Sequence, residues 1–544
     1  MSKVAHYLQE HLLGEVMTGA DARKYFATDG SIFSILPAMA VYPRNENDLR
    51  KTARFTWQLA ERGRVIPMTA RGGGSDQSGA ALGSGLILAM PAHLNRIIEL
   101  DPKTGRVVVE PGISYGKLQQ TLLTHGRFLP PAPASLEYST IGGAVANNAS
   151  GEKSFKYGDT RQFVAGLKLV LANGELIETG RLNKRELNKK LGLATFEGEI
   201  YRGLDGLIEE QQANIAKLTS EVTKNASGYD LAEIKTKAGF DLTPLFVGAQ
   251  GTLGIISQIT LDTLPHNPST TLMAGMFDDI AKAQQAIIEL RALANIPASL
   301  EMVDQPLLEM VAKLNPNQLQ EVITKPYPKV ILLIEFDDAE PRTQKRAAKK
   351  AAKILSQYAA SCQMAGSDEQ KIQLQKLRQA PATLLAHSEG SLRALPAIED
   401  GVVPPEKFAD FLLGLYALLK KHNLTLAVWG HAGDGNLHAQ PYLDIGQLGD
   451  RQKLFKLMDE YYALLASLGG SASGEHGDGR LRGAYLDKFF APEIIDLFQK
   501  IKTIFDPYAT LNPGVKTGLT PADIKPLLRS DFSLGPWYDH MPRS

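Results

Sequence analysis

Apolar positions along the chain follow two periods. Short apolar or alternating runs at residues 65–70, 107–109, 167–171, 299–303 and 330–336 have the length of strands. Between them, apolar residues recur every three to four positions over 46–62, 114–125, 280–294, 343–360, 368–385, 407–421, 454–468 and 492–504, which predicts helices. A polar helix is expected before residue 35, and the helix over 46–62 followed by the strand at 65–70 suggests βαβ packing. Asn173-Gly174 between strands at 167–171 and 175–179 predicts a hairpin. From Pro268 onward strands alternate with long helices and glycine loops cease until residue 430, the pattern of a separate α+β unit. Leu424-Thr425-Leu426-Ala427 reads as a buried strand, and beyond Thr517 the Pro, Asp and Gly punctuation predicts a loosely attached tail.

At 544 residues the chain exceeds what one core supports, so two or three domains are expected. Lys+Arg and Asp+Glu balance at 59 each, and Lys345-Arg346-Ala347-Ala348-Lys349-Lys350 is the solvated face of a helix, so nucleic acid is not an expected partner. The only cysteine, Cys362, excludes an internal disulfide and a four-thiolate iron–sulfur cluster within these residues, and it is expected to pack rather than react. The first residues carry no apolar signal core, and no run approaches the roughly eighteen apolar residues that span a bilayer. A cytoplasmic location is therefore expected, with contact at the inner face of a membrane and a homodimer both left open.

Candidate chemistry concentrates in Val428-Trp-Gly-His-Ala-Gly-Asp-Gly-Asn-Leu-His438. Its glycines permit a fold-back that brings His431 and His438 together, and two converging neutral imidazoles suit a divalent metal. The alternative is a tight turn bearing two solvated histidines. A second run, Gly474-Glu475-His476-Gly-Asp-Gly-Arg480, offers Glu475 as a third ligand and leaves His476 for proton chemistry. Asp434 and Asn436 are expected to orient the ligating imidazoles or to hold the turn. A closed structural zinc site is the other reading, against which no fourth strong ligand is evident.

Three glycines in Arg71-Gly-Gly-Gly-Ser-Asp-Gln-Ser-Gly79 can lay the main chain against an anion. The spacing is neither a Rossmann nor a Walker loop, and a flexible surface turn fits it as well. The run Thr140-Ile-Gly-Gly-Ala-Val-Ala-Asn-Asn-Ala-Ser-Gly151 suits either a flat polar ligand or an Ala/Gly packing contact.

Taken in order, Arg71-Gly-Gly-Gly-Ser, Thr140-Ile-Gly-Gly with Asn147-Asn148, Tyr157-Gly-Asp, Gly248-Ala-Gln-Gly-Thr-Leu-Gly254 and Phe505-Asp-Pro through Leu511-Asn-Pro-Gly-Val-Lys516 resemble the FAD-binding domain of the vanillyl-alcohol-oxidase superfamily. With the two histidine runs, the chain from about Pro43 to Lys516 is most similar to the D-2-hydroxyacid dehydrogenase branch: D-lactate dehydrogenases, D-2-hydroxyglutarate dehydrogenases and the glycolate oxidase flavin subunit. The resemblance implies an α+β fold with a two-part FAD-binding domain over 1–267, a ferredoxin-like cap over 268–483, and a helical return over 484–544.

It also implies FAD contacts from Arg71, Gly72, Gly73, Gly74, Ser75, Pro133, Thr140, Gly142, Gly143, Asn147, Gly158, Gly251, Gly254, Ile255 and Asn512. Residues 71–79 hold no histidine, so FAD is expected to be non-covalent. Asp76 stands where the family usually has a small hydroxyl, and it is expected to bond its own turn rather than face a pyrophosphate. His431, His438 and Glu475 would hold Zn2+ or Mn2+, His476 would be the base, and Arg378 would clamp the substrate carboxylate, although Gln375 replaces a tryptophan common in the family. Arg393 and the 399–404 segment are further pocket candidates. The implied reaction is oxidation of a D-2-hydroxyacid, D-lactate foremost, with electrons leaving to a quinone, cytochrome or partner subunit. D-2-hydroxyglutarate or glycolate as substrate, an FAD-holding electron-transfer subunit, and a flavin-free zinc scaffold are the competing readings.

Overall fold

A computed structural model of the chain describes residues 3–218, 221–319, 322–385, 391–425, 427–530 and 532. Its first sheet orders the strands Glu15–Met17, Met39–Tyr42, Leu86–Ala89 and Met68–Arg71, the last three parallel. The helix Glu46–Glu61 links Met39–Tyr42 to Met68–Arg71 and starts where the Asn45 side chain accepts the Asp48 N–H. It buries Leu49 and Ala53 against Val41, Leu86 and Leu88. Because Leu86–Ala89 inserts between the two strands it connects, the βαβ unit is not a pair of neighbours.

A second, antiparallel sheet runs Ile97–Asp101, Arg106–Val109, Ile255–Asp262, Val164–Val170, Leu176–Glu178. In Ile255–Asp262 alternate side chains are buried, as the period-two sequence requires. The hairpin across Asn173-Gly174 forms as expected. This sheet receives the helix Pro492–Phe505, whose Ile494, Leu497, Phe498, Ile501 and Phe505 are fully buried, each stabilising by about 1.5–3 kcal/mol.

The third sheet has seven strands in the order Ser361–Met364, Thr271–Phe277, Val330–Phe336, Ser299–Asp304, Val428–His431, Asn436–Ala439, Gly401–Val402. With the helices Ile280–Arg291 and Pro341–Tyr358, the first four make a βαββαβ arrangement of order 4-1-3-2, the ferredoxin-like pattern. Val428–His431 and Asn436–Ala439 extend it as a hairpin.

The structure revises several expectations. The strand read at 424–427 begins at Val428 and contains His431, with Leu426 outside the described residues. The helix over 368–385 is two helices, Asp368–Arg378 and Ala380–Leu385. Cys362 is exposed on the edge strand, because the strand's far side has no partner to cover it. Residues after Thr517 are not a loose tail as far as they are described: Ile524 is buried, Leu528 bridges Phe33, and the buried Arg529 donates from its backbone to the Ile32 carbonyl. Their apolar residues, sparse as they are, fall where that docking needs them. No helix among the described residues is long and apolar enough to cross a membrane.

Candidate active site

A cleft of about 990 Å3 runs between the first two sheets and the seven-stranded sheet. Arg71 to Ser75, Pro133, Thr140, Gly142, Gly143, Asn147, Gly251 and Gly254 line one end; Arg378, His431, His438, Glu475 and His476 line the other. The glycine loop leaves Met68–Arg71 and lies directly on the next one. A Cβ on Gly73 would sit 1.9 Å from the Tyr138 carbonyl oxygen, and one on Gly72 would sit 2.2 Å from Thr140 Oγ1. Gly73→Ala should therefore force the two loops apart and abolish flavin retention, read as loss of yellow colour after gel filtration. Retention at the parent level would show that the loops need not touch.

Asp76 behaves as expected. Its carboxylate accepts the Ser78 and Ala80 backbone N–H groups and the Asn147 side chain, so its charge is absorbed by the turn. Three residues assigned to the flavin by resemblance do not line the cleft. Ile255 is buried against Val170 in the sheet core, and its neighbour Ile256 lines the cleft instead. Gly158 makes a turn at φ +86°, and the buried Asn512 holds two loops together through Thr69, Ala80 and Gln250.

At the other end three imidazoles surround one carboxylate oxygen. Glu475 Oε1 is 3.2 Å from His431 Nε2, 3.3 Å from His438 Nε2 and 3.7 Å from His476 Nε2. Gly430, at φ +147°, allows the hairpin that sets His438 opposite Trp429 and so carries both imidazoles to one place. The far nitrogen of each ring faces a carboxylate: His431 Nδ1 lies 2.7 Å from Glu301 Oε1, and His476 Nδ1 and His438 Nδ1 lie 2.8 and 3.4 Å from Glu399 Oε2. With the Nδ1 protons held by these carboxylates, each Nε2 would turn either a proton or, once a cation lies between, a lone pair toward Glu475. Glu475 Oε2 is itself taken by Ser150 Oγ at 2.5 Å and by the buried Lys224 Nζ at 3.2 Å.

Burial pushes these imidazole pKa values down, but Glu399 and Glu475 outweigh it for His438, raised to about 10, and Glu399 and Asp400 for His476, raised to about 9. The pocket is thus an anionic hollow that draws protons, or another cation, onto its nitrogens. Asp400 also lies within 4.8 Å of His438, Glu475 and His476, yet its oxygens accept from Ser473 Oγ and from the Glu475 and His476 backbone, which makes it scaffold rather than ligand. A donor set of imidazole Nε2 atoms and one carboxylate oxygen, each fixed from behind, fits a divalent ion of the Zn2+ or Mn2+ type.

Arg378 Nε lies 3.0 Å from Glu301 Oε2 and 3.1 Å from Glu152 Oε2. Of the two tasks offered for Asp434 and Asn436, holding the local structure is the one they take: Asp434 accepts from Thr223 Oγ1 and faces Lys224, Asn436 donates to Asp400 and the Gly401 carbonyl, and the imidazoles are oriented by Glu301 and Glu399. Arg393 donates to the Leu392 carbonyl in a strand pair with Tyr442–Leu443, away from the cleft lining. The contacts of Glu301, Ser150 and Lys224 with this site were not anticipated. Ser150 lay in the 140–151 run read for a flat ligand, Glu301 carried the signal of a carboxylate in an apolar run, and Lys224 carried none.

Comparison with known proteins gives the family and the fold. Residues 37–180 match the FAD binding domain family and residues 266–515 the C-terminal domain of FAD linked oxidases. The chain is 32% identical to D-2-hydroxyglutarate dehydrogenase of Escherichia coli over 93% of its own length, and it spans about half the length of that relative. It is 29% identical to glycolate oxidase subunit GlcD of Bacillus subtilis, covering 89% of each chain, and 27% identical to D-lactate dehydrogenase of Archaeoglobus fulgidus, covering 88% and 90%. Among solved structures, p-cresol methylhydroxylase (TM-score 0.67, 15% identity, 95% of this chain and 96% of that one) shares the fold.

Proposed function

From the premise that this chain belongs to the FAD-linked oxidases, we propose that it oxidises a D-2-hydroxyacid, D-lactate by preference, to the 2-oxoacid. The observation that carries this reading is the convergence of His431, His438, Glu475 and His476 on the same cleft as the glycine loops and Arg378. FAD, when bound non-covalently along those loops, supplies the two-electron acceptor for the α-hydrogen, which no side chain can provide. His431, His438 and Glu475 would hold Zn2+ or Mn2+, whose chemistry is to acidify the substrate hydroxyl.

The chain's own residues do the rest. The Arg378 guanidinium binds and orients the substrate carboxylate, a task its planar donors suit. His476, whose pKa of about 9 would be brought down by the charge of a cation held at His431, His438 and Glu475, takes the hydroxyl proton at Nε2, while Glu399 at Nδ1 fixes the ring and balances the imidazolium that forms. The loss of one proton and one hydride converts the hydroxyl carbon to a carbonyl, and the electrons pass on to an external acceptor.

Charge balance favours a monocarboxylate. Among the described cleft residues Lys153 is committed to Glu335 and Asp337, at 3.0 and 3.2 Å, and Arg378 already faces two glutamates. Pro381, Ala382, Leu385 and Trp429 line the cleft beside them and suit a methyl group better than a second carboxylate. D-2-hydroxyglutarate is the second reading, favoured by the names of the 32% and 30% identical relatives.

Anaerobic mixing of the yellow protein with D-lactate, L-lactate, D-2-hydroxyglutarate and glycolate tests the proposal. D-Lactate should bleach the flavin, L-lactate should not, and EDTA should suppress the bleaching. Bleaching by D-2-hydroxyglutarate alone moves the substrate to the dicarboxylate. Undiminished bleaching after EDTA ends the role given to the cation, and no bleaching by any acid leaves an electron-transfer subunit.

A further inference from the structure

The strand Ser299–Asp304 occupies the middle of the seven-stranded sheet, with every residue buried, and Glu301 is the carboxylate in its interior. An ionised group in such a place must be matched on both oxygens, or its burial is strongly unfavourable. Glu301 is matched by two groups with different tasks. Oε1 lies 2.7 Å from His431 Nδ1, and Oε2 lies 3.0 Å from Arg378 Nε. The two partners reach it from separate elements: His431 ends the neighbouring strand Val428–His431, and Arg378 ends the helix Asp368–Arg378. Among the described residues, Glu301 is the side chain that reaches both of them.

We propose that Glu301 is a positioning residue that ties the carboxylate-binding arginine to the cation-binding histidine, so that one side chain sets the aim of both. The inference rests on the roles given to Arg378 and His431 above. On one side, a proton held on Nδ1 by Glu301 Oε1 keeps the His431 Nε2 lone pair directed at Glu475 Oε1. On the other, Glu301 Oε2 is ion-paired with the inner edge of the guanidinium, whose Nε–H is donated to Glu152, and this buried charge limits how the plane can turn toward a ligand in the cleft. A shift of Glu301 therefore moves both ends of the substrate site together.

Glu152 provides an internal control, because it accepts the Arg378 Nε–H directly, at 3.1 Å, from a distant part of the chain, and its described contacts do not include His431. It is two-fifths exposed where Glu301 is almost fully buried, so it acts on the arginine alone and with its charge partly screened by solvent.

Substitution with glutamine preserves the shape of Glu301 but not its symmetry. An amide has one oxygen to accept from His431 or Arg378, and its nitrogen, a donor, meets the remaining donor. Mn2+ affinity, measured on the flavin-loaded, chelator-stripped full chain by electron spin resonance, and KM for D-lactate at saturating Mn2+ read the two sides separately. Glu301→Gln should weaken Mn2+ binding about 10- to 100-fold, the size seen when the group behind a ligating histidine is lost, and should raise KM about tenfold, as for one misplaced charge-assisted hydrogen bond. Glu152→Gln should raise KM and leave Mn2+ affinity at the parent value. Glu301→Asp, which keeps the charge but is too short to reach both partners, should lose one of the two effects and serves where Glu301→Gln does not fold.

Parent-like Mn2+ affinity or parent-like KM in both Glu301 variants overturns the bridge, as does a Glu152→Gln protein that loses Mn2+ as readily as Glu301→Gln. A parent chain that binds no Mn2+ fails at an earlier step, in the reading of the histidine site itself, and takes the bridge with it.

Discussion

If His476 is the base proposed for D-lactate oxidation, replacing it with glutamine should lower the rate of flavin reduction by D-lactate about a hundredfold to ten-thousandfold, the usual range for removing a positioned general base. The ring is held for that task. Its Nδ1 is 2.8 Å from Glu399, its backbone N–H is 2.9 Å from Asp400, and its Nε2 points into the ring of donors around Glu475. It is also the most exposed imidazole of the three, at 27%, as a group that must exchange a proton should be. Glutamine retains a hydrogen-bonding side chain of similar reach but cannot accept a proton at neutral pH. Stopped-flow absorbance under nitrogen measures the rate, with Mn2+ content and flavin content determined on the same samples. A His476→Gln protein that reduces its flavin at the parent rate with both ligands in place removes the imidazole from the chemistry.

The second large effect is on stability. Glu399 and Arg482 are both fully buried and form an ion pair, and Glu399 also faces two imidazoles. Burial pushes the Glu399 carboxyl toward protonation, but His476 and Arg482 reverse this and hold it far below the ordinary carboxylate range. Glu399→Ala leaves the Arg482 guanidinium buried without its counter-charge, and removing one partner of such a pair costs about 3–5 kcal/mol. Urea unfolding followed by circular dichroism should show the corresponding fall in midpoint. The double variant Glu399→Ala with Arg482→Met should recover much of the loss, since it removes both charges together. A single variant that loses less than about 1 kcal/mol would place the pair in the class of weak surface contacts.

Much of this arrangement could be read from the chain, for identifiable reasons. Long helices such as Glu46–Glu61 and Pro492–Phe505 were legible because their buried stripes recur at helical spacing over several turns. Val330–Phe336 was legible because a strand covered on both faces is an uninterrupted apolar run. The strand read at 424–427 was displaced because apolar content does not specify pairing. Register there is set by Trp429 opposite His438 and Met302 opposite Gly430, contacts with residues distant in sequence. The docked segment through Arg529 was misread for a related reason: Ile524 and Leu527-Leu528, broken up by Pro526 and charged neighbours, are too short a run to signal an element and become significant only beside Ile32 and Phe33.

In the candidate site, His431, His438, Glu475 and His476 were visible because glycine and imidazole are dense in two short runs. The groups that aim them were not. Ser150 is 325 positions from Glu475 and Lys224 is 251; the run holding Ser150 pointed to a ligand but not to Glu475, and Lys224 sits in no distinguishing local pattern. Of the two tasks offered for Asp434 and Asn436, orienting the imidazoles is not theirs, because the hairpin turns them toward Lys224 and Asp400.

The hold on Glu475 has a wider consequence. Its Oε2 is gripped by Ser150 and Lys224 from the first half of the chain, while its Oε1 meets histidines mounted on the seven-stranded sheet. The reactive centre is therefore completed only when the two lobes have closed upon each other correctly. A chain in which only one of these parts has folded cannot bring the Glu475 carboxylate and the imidazoles to one point.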